Sequence, residues 1–163
     1  MNYNNTSDNA SNHTPKTGQL RPTVFCLIVD FKNNLILVEN QSRLVGGGID
    51  KGETPEQTCI REILEETENA IVVDKDRLHF FRVLEFKTKE FFTDNQHWYG
   101  KKGNIYVYEY DSNIFTGLKA NTTDNIHGEL SWCDINKFFT INDDINEDEF
   151  RQFCKDKKFT SLF

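Results

Sequence analysis

Glu53, Glu62, Glu65 and Glu66 crowd into one stretch, GGGIDKGETPEQTCIREILEETEN, which runs from Gly46 to Asn69. The chain already carries a formal net charge of −7, so gathering acids has an electrostatic cost. Two readings of the cluster stand. One is the solvated acidic face of a surface helix. The other is a site for a hard divalent cation, which takes carboxylate oxygens and cancels their repulsion. The glycines ahead of the glutamates favour a ligand, because bare backbone can approach it closely. Carboxylates, a cation and bare backbone together suit a polyphosphate: the cation neutralises phosphate charge and activates water.

The elements that must position these groups can be read outward from the cluster. Thr54 is a good N-cap, Pro55 suits the first helical position, and Gln57 completes a capping box. A helix is therefore predicted to begin at Pro55. At about 100° per residue, Ile60, Ile63, Leu64 and Thr67 share one side, while Glu62, Glu65 and Glu66 share the other. Arg61 lies four residues before Glu65 and can pair with it, whereas Glu62 and Glu66 form a like-charge pair at the same spacing. Before the helix, TVFCLIVD reads as a buried strand, FKNN as a turn, and LILVEN as a second strand pairing with the first. The glycines are expected to form a loop between that strand and the helix. Later strands are expected at LHFFRVLEFKT and NIYVYEYD; in the second, Ile105, Val107 and Glu109 face opposite to Tyr106, Tyr108 and Tyr110. ELSWCDI reads as a short strand entering a helix near Asn136. NEDEFRQFCKDKKF reads as a C-terminal helix with acids first and lysines last, which matches the helix dipole. The expected class is α/β, a sandwich with a mixed sheet.

Size and composition narrow the function classes. The 163 residues suit one domain, and 14 Phe with 2 Trp supply bulky core material. Residues 1–19 are rich in Asn, Ser and Thr and read as a disordered tail containing His13, leaving 20–163 as the folded domain. A pI near 5.1 argues against broad binding to nucleic acid or anionic membranes. Cys26, Cys59, Cys133 and Cys154 are scattered with no CxxC pair, so they read as reduced core thiols rather than a zinc site. No apolar run reaches transmembrane length, and the first residues lack the apolar core of a signal peptide, so a cytoplasmic location is expected.

The spacing around the cluster is specific. Gly47, five residues, Glu53, seven residues, then Arg61-Glu62-Ile63-Leu64-Glu65-Glu66 resembles the Nudix box, and the flanking order of strand, hairpin, glycines and helix resembles the Nudix fold over about residues 21 to 155. One position departs: Glu68 stands where the box ends in glycine, and Asn69 is expected to end the helix in its place. The resemblance implies an α/β/α sandwich with a mixed sheet. It also implies a Mg²⁺- or Mn²⁺-dependent pyrophosphohydrolase acting on a nucleoside diphosphate linked to another group, or on a related pyrophosphate. It further implies cation ligation by Glu62, Glu65, Glu66 and the Gly47 carbonyl, with Glu53 and Arg61 orienting the ligands. The general base is either Glu62 or a later glutamate; Glu129 is the first loop candidate and Asp124 the second. A catalytically silent Nudix-fold module, sensing a nucleotide or binding a protein, is the alternative from another class.

The substrate is less legible. In FKTKEFFTDNQHWYGKKGN, Trp98 or Tyr99 could stack on a base, and Lys87, Lys101 and Lys102 could meet phosphates. The competing view is a hairpin turning at Lys101-Lys102-Gly103, with Trp98 simply packed. Arg21 and Arg43 flank the expected cleft and are further phosphate candidates. His97 and His127 read as ordinary loop residues. The partner expected is a phosphorylated small molecule, most simply a nucleotide, with no membrane. Nucleoside triphosphates, dinucleoside polyphosphates, diphosphoinositol polyphosphates and RNA caps all stay open, and capped RNA has no feature in its favour.

Overall fold

The computed structural model describes residues 19–114 and 129–159. His13, Asp124 and His127 lie outside the described residues. Six strands and three α-helices follow one another as β1 (Leu20–Asp30), β2 (Leu35–Glu39), β3 (Arg43–Gly48), α1 (Pro55–Glu66), β4 (Leu78–Thr93), β5 (Gln96–Glu109), β6 (Leu130–Asp134), α2 (Ile135–Ile141) and α3 (Glu147–Lys157). The strands form one mixed sheet in the order β4-β5-β1-β3-β2-β6. β1 and β5 run parallel, pairing Leu20 with Gly100 through Val29 with Glu109, and the other neighbours are antiparallel.

The sheet is covered on both sides, as an α/β/α sandwich requires. On one face Leu27, Val29, Ile36, Val38, Ile105 and Val107 pack with Phe138 of α2 and Phe150 of α3. On the other, Val24, Cys26, Ile28, Leu37, Tyr106 and Tyr108 pack with Cys59 and Ile63 of α1. The alternation read in NIYVYEYD is therefore real: a strand buried on both faces sends its odd residues to one core and its even residues to the other. Cys26, Cys59 and Cys154 are buried free thiols, and Cys133 is half-buried.

Three local expectations change. The glycines are not a loop. Gly46, Gly47 and Gly48 are strand residues of β3, opposite Phe25, Val24 and Thr23 of β1. None of the three needs a positive φ. Backbone crowding excludes a side chain at Gly46, where a Cβ would stand 2.1 Å from the Val24 carbonyl oxygen; at Gly47 a Cβ would stand 2.3 Å from Glu62 Oε2 and displace that carboxylate. Next, the β4–β5 hairpin turns at Asp94-Asn95, both left-handed, with φ of 54° and 59°. A two-residue turn with two positive φ values matches the twist of the strands it joins. Lys101, Lys102 and Gly103 are then strand residues, paired with Phe86, Glu85 and Leu84. Lastly, α1 ends at Glu66 rather than at Asn69, with Thr67 as its cap. Thr67 Oγ1 donates to the Ile63 carbonyl at 2.6 Å and accepts from the Ile71 N–H at 3.2 Å. Glu68 and Asn69 both follow in the left-handed region, at φ of 51° and 69°, and the Asn69 N–H reaches back to the Leu64 carbonyl at 2.8 Å.

The start of α1 is as expected. Thr54 Oγ1 accepts from the Gln57 N–H, and the Gln57 side chain accepts from the Thr54 N–H, so both halves of the capping box are made. Among the described residues no helix is long and apolar enough to cross a membrane.

Candidate active site

α1 lies against β3, and its first two turns are organised around one cation. Arg61 Nε donates to Glu53 Oε2 at 2.8 Å, and Nη2 donates to Glu53 Oε1 at 2.9 Å, a bidentate pair. Nη1 reaches Glu62 Oε2 at 3.0 Å and Glu65 Oε1 at 3.3 Å, and Nη2 also reaches the Gly48 carbonyl at 3.3 Å. Asp50 stands 3.3 Å from the same group. Glu53 accepts further bonds from the Thr58 hydroxyl at 2.7 Å and the Asp50 N–H at 3.1 Å. Arg61 and then Thr58 hold the Glu53 carboxyl down to about 2, and Glu53 in turn holds the guanidinium above its ordinary value. Glu53 and Arg61 thus form the hub that ties the segment after β3 to the helix.

The other end of the acidic face is different. Burial pushes the Glu62 carboxyl up, and the neighbouring charges of Glu66 and Glu65 add to that, while Arg61 opposes it. Glu39, the last residue of β2, is 1% exposed. Burial and the adjacent Glu66 carboxyl push it to about 9, against the pull of Arg43. Glu39 Oε1 lies 3.6 Å from Arg43, and Glu39 Oε2 has no hydrogen-bond partner. Beside it, Asn40 pins the first residue before β6: the Asn40 N–H donates to the Glu129 carbonyl at 2.8 Å, and Asn40 Oδ1 accepts from the Glu129 N–H at 3.2 Å. Glu129 is therefore brought to the Glu39–Glu66 end of the site by its backbone.

On the opposite side of the β3 glycines lies a cavity of about 400 Å³. Arg21, Arg43 and Lys101 line it together with Phe25, Phe86 and Asp144. Lys101 Nζ sits 5.9 Å from the Phe25 ring centre. Burial, and then the charges of Arg21 and Arg43, lower the affinity of Lys101 for its proton. Three cations converge in a chain of net negative charge, which is the arrangement an anionic ligand would relieve. β3 joins the two halves. Its residues alternate, so Gly47 faces the Glu62 carboxyl while the Cβ position of Gly48 faces the Arg21 guanidinium at 2.4 Å.

Other sequence candidates fall outside this cavity. Lys87 is exposed. Lys102 is half-buried on the alternate face of β5, and the Thr23 hydroxyl donates to its carbonyl at 3.3 Å. Trp98 is 7% exposed and donates its indole N–H to the Thr93 carbonyl at 3.3 Å. Tyr99 stacks on His97 at 4.5 Å, and His97 stacks on Phe92 at 4.2 Å, an aromatic pile of the hairpin. Sequence reasoning assigned no role to Glu39, Phe25, Phe86 or Asp144. For Glu39 a signal existed: an acidic residue occupies a core-facing position of a strand whose other residues are apolar. For the rest, only the folding of β1, β4 and the α2–α3 connection against one another brings them together.

Among the described residues no three His, Cys, Asp or Glu side chains meet closely enough to hold a metal ion as they stand. Arg61 accounts for part of this, since it draws Glu62 and Glu65 toward its guanidinium. The residues nevertheless fit a divalent cation by chemistry. Hard oxygen donors are gathered at Glu62, Glu65 and Glu66, and the buried Glu39 carboxyl adjoins that of Glu66.

A family model for the NUDIX domain matches residues 19–154. The chain belongs to the Nudix hydrolase family. No curated protein matches it by sequence. Its fold is similar to that of an E. coli dihydroneopterin triphosphate pyrophosphohydrolase, at 18% identity and a TM-score of 0.52, covering 74% of this chain and 86% of that one. It is also similar to a C. elegans Ap4A hydrolase, at 17% identity and a TM-score of 0.51, covering 83% and 98%, and to a Burkholderia pseudomallei MutT NUDIX hydrolase, at 24% and 0.50, covering 72% and 85%. The Nudix box lies within the matched span, with Glu68 at its final position. That glutamate takes the left-handed backbone that a glycine adopts at no cost.

Proposed function

We propose that this Nudix protein is a Mg²⁺- or Mn²⁺-dependent pyrophosphohydrolase that cleaves a phosphoanhydride bond in a nucleoside diphosphate-linked compound. The observation that carries the reading is the bare strand β3, with the Glu62 carboxyl against one face and the Arg21 guanidinium against the other. A polyphosphate lying along these glycines would meet cationic side chains in the cavity and carboxylates at its edge. Arg21, Arg43 and Lys101 bind and orient its non-bridging oxygens. Glu62, Glu65, Glu66 and the Gly47 carbonyl would hold the divalent cation, which supplies charge neutralisation and a more acidic water. Glu53 and Arg61 fix the helix that carries them. Glu62 has one oxygen engaged by Arg61, so Glu129 is our assignment for the group that accepts a proton from water. Two proteins of similar fold are named for a triphosphate and for Ap4A, in keeping with a polyphosphate substrate.

The test is a panel of nucleoside triphosphates, dinucleoside polyphosphates, diphosphoinositol polyphosphates, ADP-ribose, NDP-sugars and capped RNA, each with Mg²⁺ or Mn²⁺. At least one member should turn over, and Glu66→Gln should lower its kcat/KM by about a hundredfold or more. No turnover anywhere would leave the silent binding module as the better reading. Unchanged turnover in Glu66→Gln would overturn the assigned site.

A further inference from the structure

Glu39 lies outside the box pattern, and its surroundings leave it unsatisfied. β2 sends Ile36 and Val38 into the core under α2 and α3, and Leu37 into the core under α1. Glu39 follows Leu37 on the α1 side, where an apolar residue would complete the packing. Instead a carboxyl is buried to 1% exposure, with Oε2 lacking any hydrogen-bond partner. Its nearest cation is Arg43 at 3.6 Å, and that side chain is 66% exposed, so it neutralises the buried carboxyl poorly. The Glu66 carboxyl meets Glu39 from the end of α1. A buried carboxyl held against the half-buried carboxyl of Glu66 costs the fold stability. A strand that served packing alone would be better off with leucine there. The next residue, Asn40, holds the backbone of Glu129 with two hydrogen bonds, so the end of β2 gathers acidic residues from α1 and from the start of β6.

We propose that Glu39 is a further ligand residue of the metal centre, receiving through its unpartnered oxygen a divalent cation that it shares with Glu66. This rests on the cation-dependent reading of the site given above. A cation there would give the two carboxyls a shared partner and accounts for a buried acid that packing does not. The centre then draws on three elements, β3, α1 and β2, rather than on the box alone.

The experiment is Mn²⁺ binding to the full chain by calorimetry and by electron paramagnetic resonance, with no substrate present. Glu39→Gln keeps the size of the side chain and removes its charge; it should raise the Mn²⁺ Kd by about tenfold to a hundredfold. Its melting temperature in EDTA should not fall, because the costly buried carboxyl is gone while the packing is kept. Glu39→Asp keeps the charge but leaves a gap in the packing. It should bind Mn²⁺ closer to wild type than Glu39→Gln does, even if it melts lower. The reverse order, affinity following packing rather than charge, would overturn the proposal. So would a Glu39→Gln protein whose Kd and spectrum match wild type while Glu66→Gln is weakened; that result removes Glu39 and keeps the box ligands. Wild-type protein that binds no Mn²⁺ would overturn the cation-dependent reading itself.

Discussion

The two ends of the acidic segment Glu53–Glu66 carry the same residue type in opposite circumstances. At its beginning, Glu53 is held by two bonds from Arg61, one from Thr58 and one from the Asp50 backbone. At its end, Glu66 faces a buried Glu39 whose nearest cation is 3.6 Å away and mostly exposed. The first arrangement is complete without any ligand. The second sets a buried carboxyl against another carboxyl, the arrangement that the proposed cation would stabilise. A tally of acids would not separate the two; the partners of each do.

The glycine strand β3 meets the acidic helix at Glu62 and Arg61. Gly47→Ala puts a Cβ 2.3 Å from Glu62 Oε2, so the carboxylate must move. The expected outcome is a fall of about tenfold to a hundredfold in kcat/KM with weaker Mn²⁺ binding. Unchanged kinetics would show that the Gly47–Glu62 approach constrains nothing. The next effect is on stability. Arg61→Met removes the hub and leaves Glu53, Glu62 and Glu65 without their shared cation. Because Arg61 is 28% exposed, the loss should fall below that of a fully buried pair, at about 2 kcal/mol, or about 4–8 °C in Tm measured in EDTA. Mn²⁺ should recover part of it by binding the native state. A loss confined to activity would mean that the hub does not hold the helix.

A smaller effect distinguishes the two ends by sign. The folded value of Glu53, about 2, lies below its unfolded value, so its contribution is present above about pH 4.3 and is lost as pH falls toward 2. The folded value of Glu39, about 9, lies above, so the folded state retains a proton that the unfolded chain releases; stability is drained as pH rises from about 4.3 to 9. Urea midpoints in EDTA should therefore show Glu53→Gln flattening the acid limb and Glu39→Gln flattening the alkaline limb. If both substitutions act on the same limb, the contrast fails. The smallest effect concerns the helix end. Glu68→Gly should stabilise by about 0.5 kcal/mol, the relief of a left-handed residue less the added freedom of the unfolded chain. No gain in a urea titration would mean that the Glu68 side chain offsets its backbone strain.

Much of this site was legible in one dimension because its parts are local. Thr54, Pro55 and Gln57 interact within one turn, so the start of α1 follows from their order. Arg61 and Glu65 are four residues apart, and their contact follows from helical periodicity. The two faces of β5 follow from a period of two. Glycine misled where its reason was tertiary: Gly46–Gly48 read as a loop because the Val24 carbonyl and the Glu62 carboxyl reach them only through the packing of β1 and α1 against β3. The competing view of a turn at Lys101-Lys102-Gly103 does not hold, because the left-handed pair Asp94-Asn95 turns the hairpin earlier and leaves that run paired in β5. Asn69 was expected to end α1 in place of a glycine, but Glu68 itself takes the left-handed position, and the N–H groups of Glu68 and Asn69 bond back to the Glu65 and Leu64 carbonyls.

The sequence alone determined the family, the class of fold, the acidic helix and the Arg61–Glu65 pair. The box and the pair depend on short spacings and local hydrogen-bonding rules, and the class of fold on the order of strand and helix patterns. Tertiary structure decided which acids are satisfied. Glu39 meets Glu66, Asn40 holds Glu129, and Arg21, Arg43 and Lys101 converge only when β1, β2, β3, β5 and α1 are stacked. Those meetings depend on strand order and on which face each residue takes, and the burial that makes an unpaired carboxyl costly exists only once the sheet is covered.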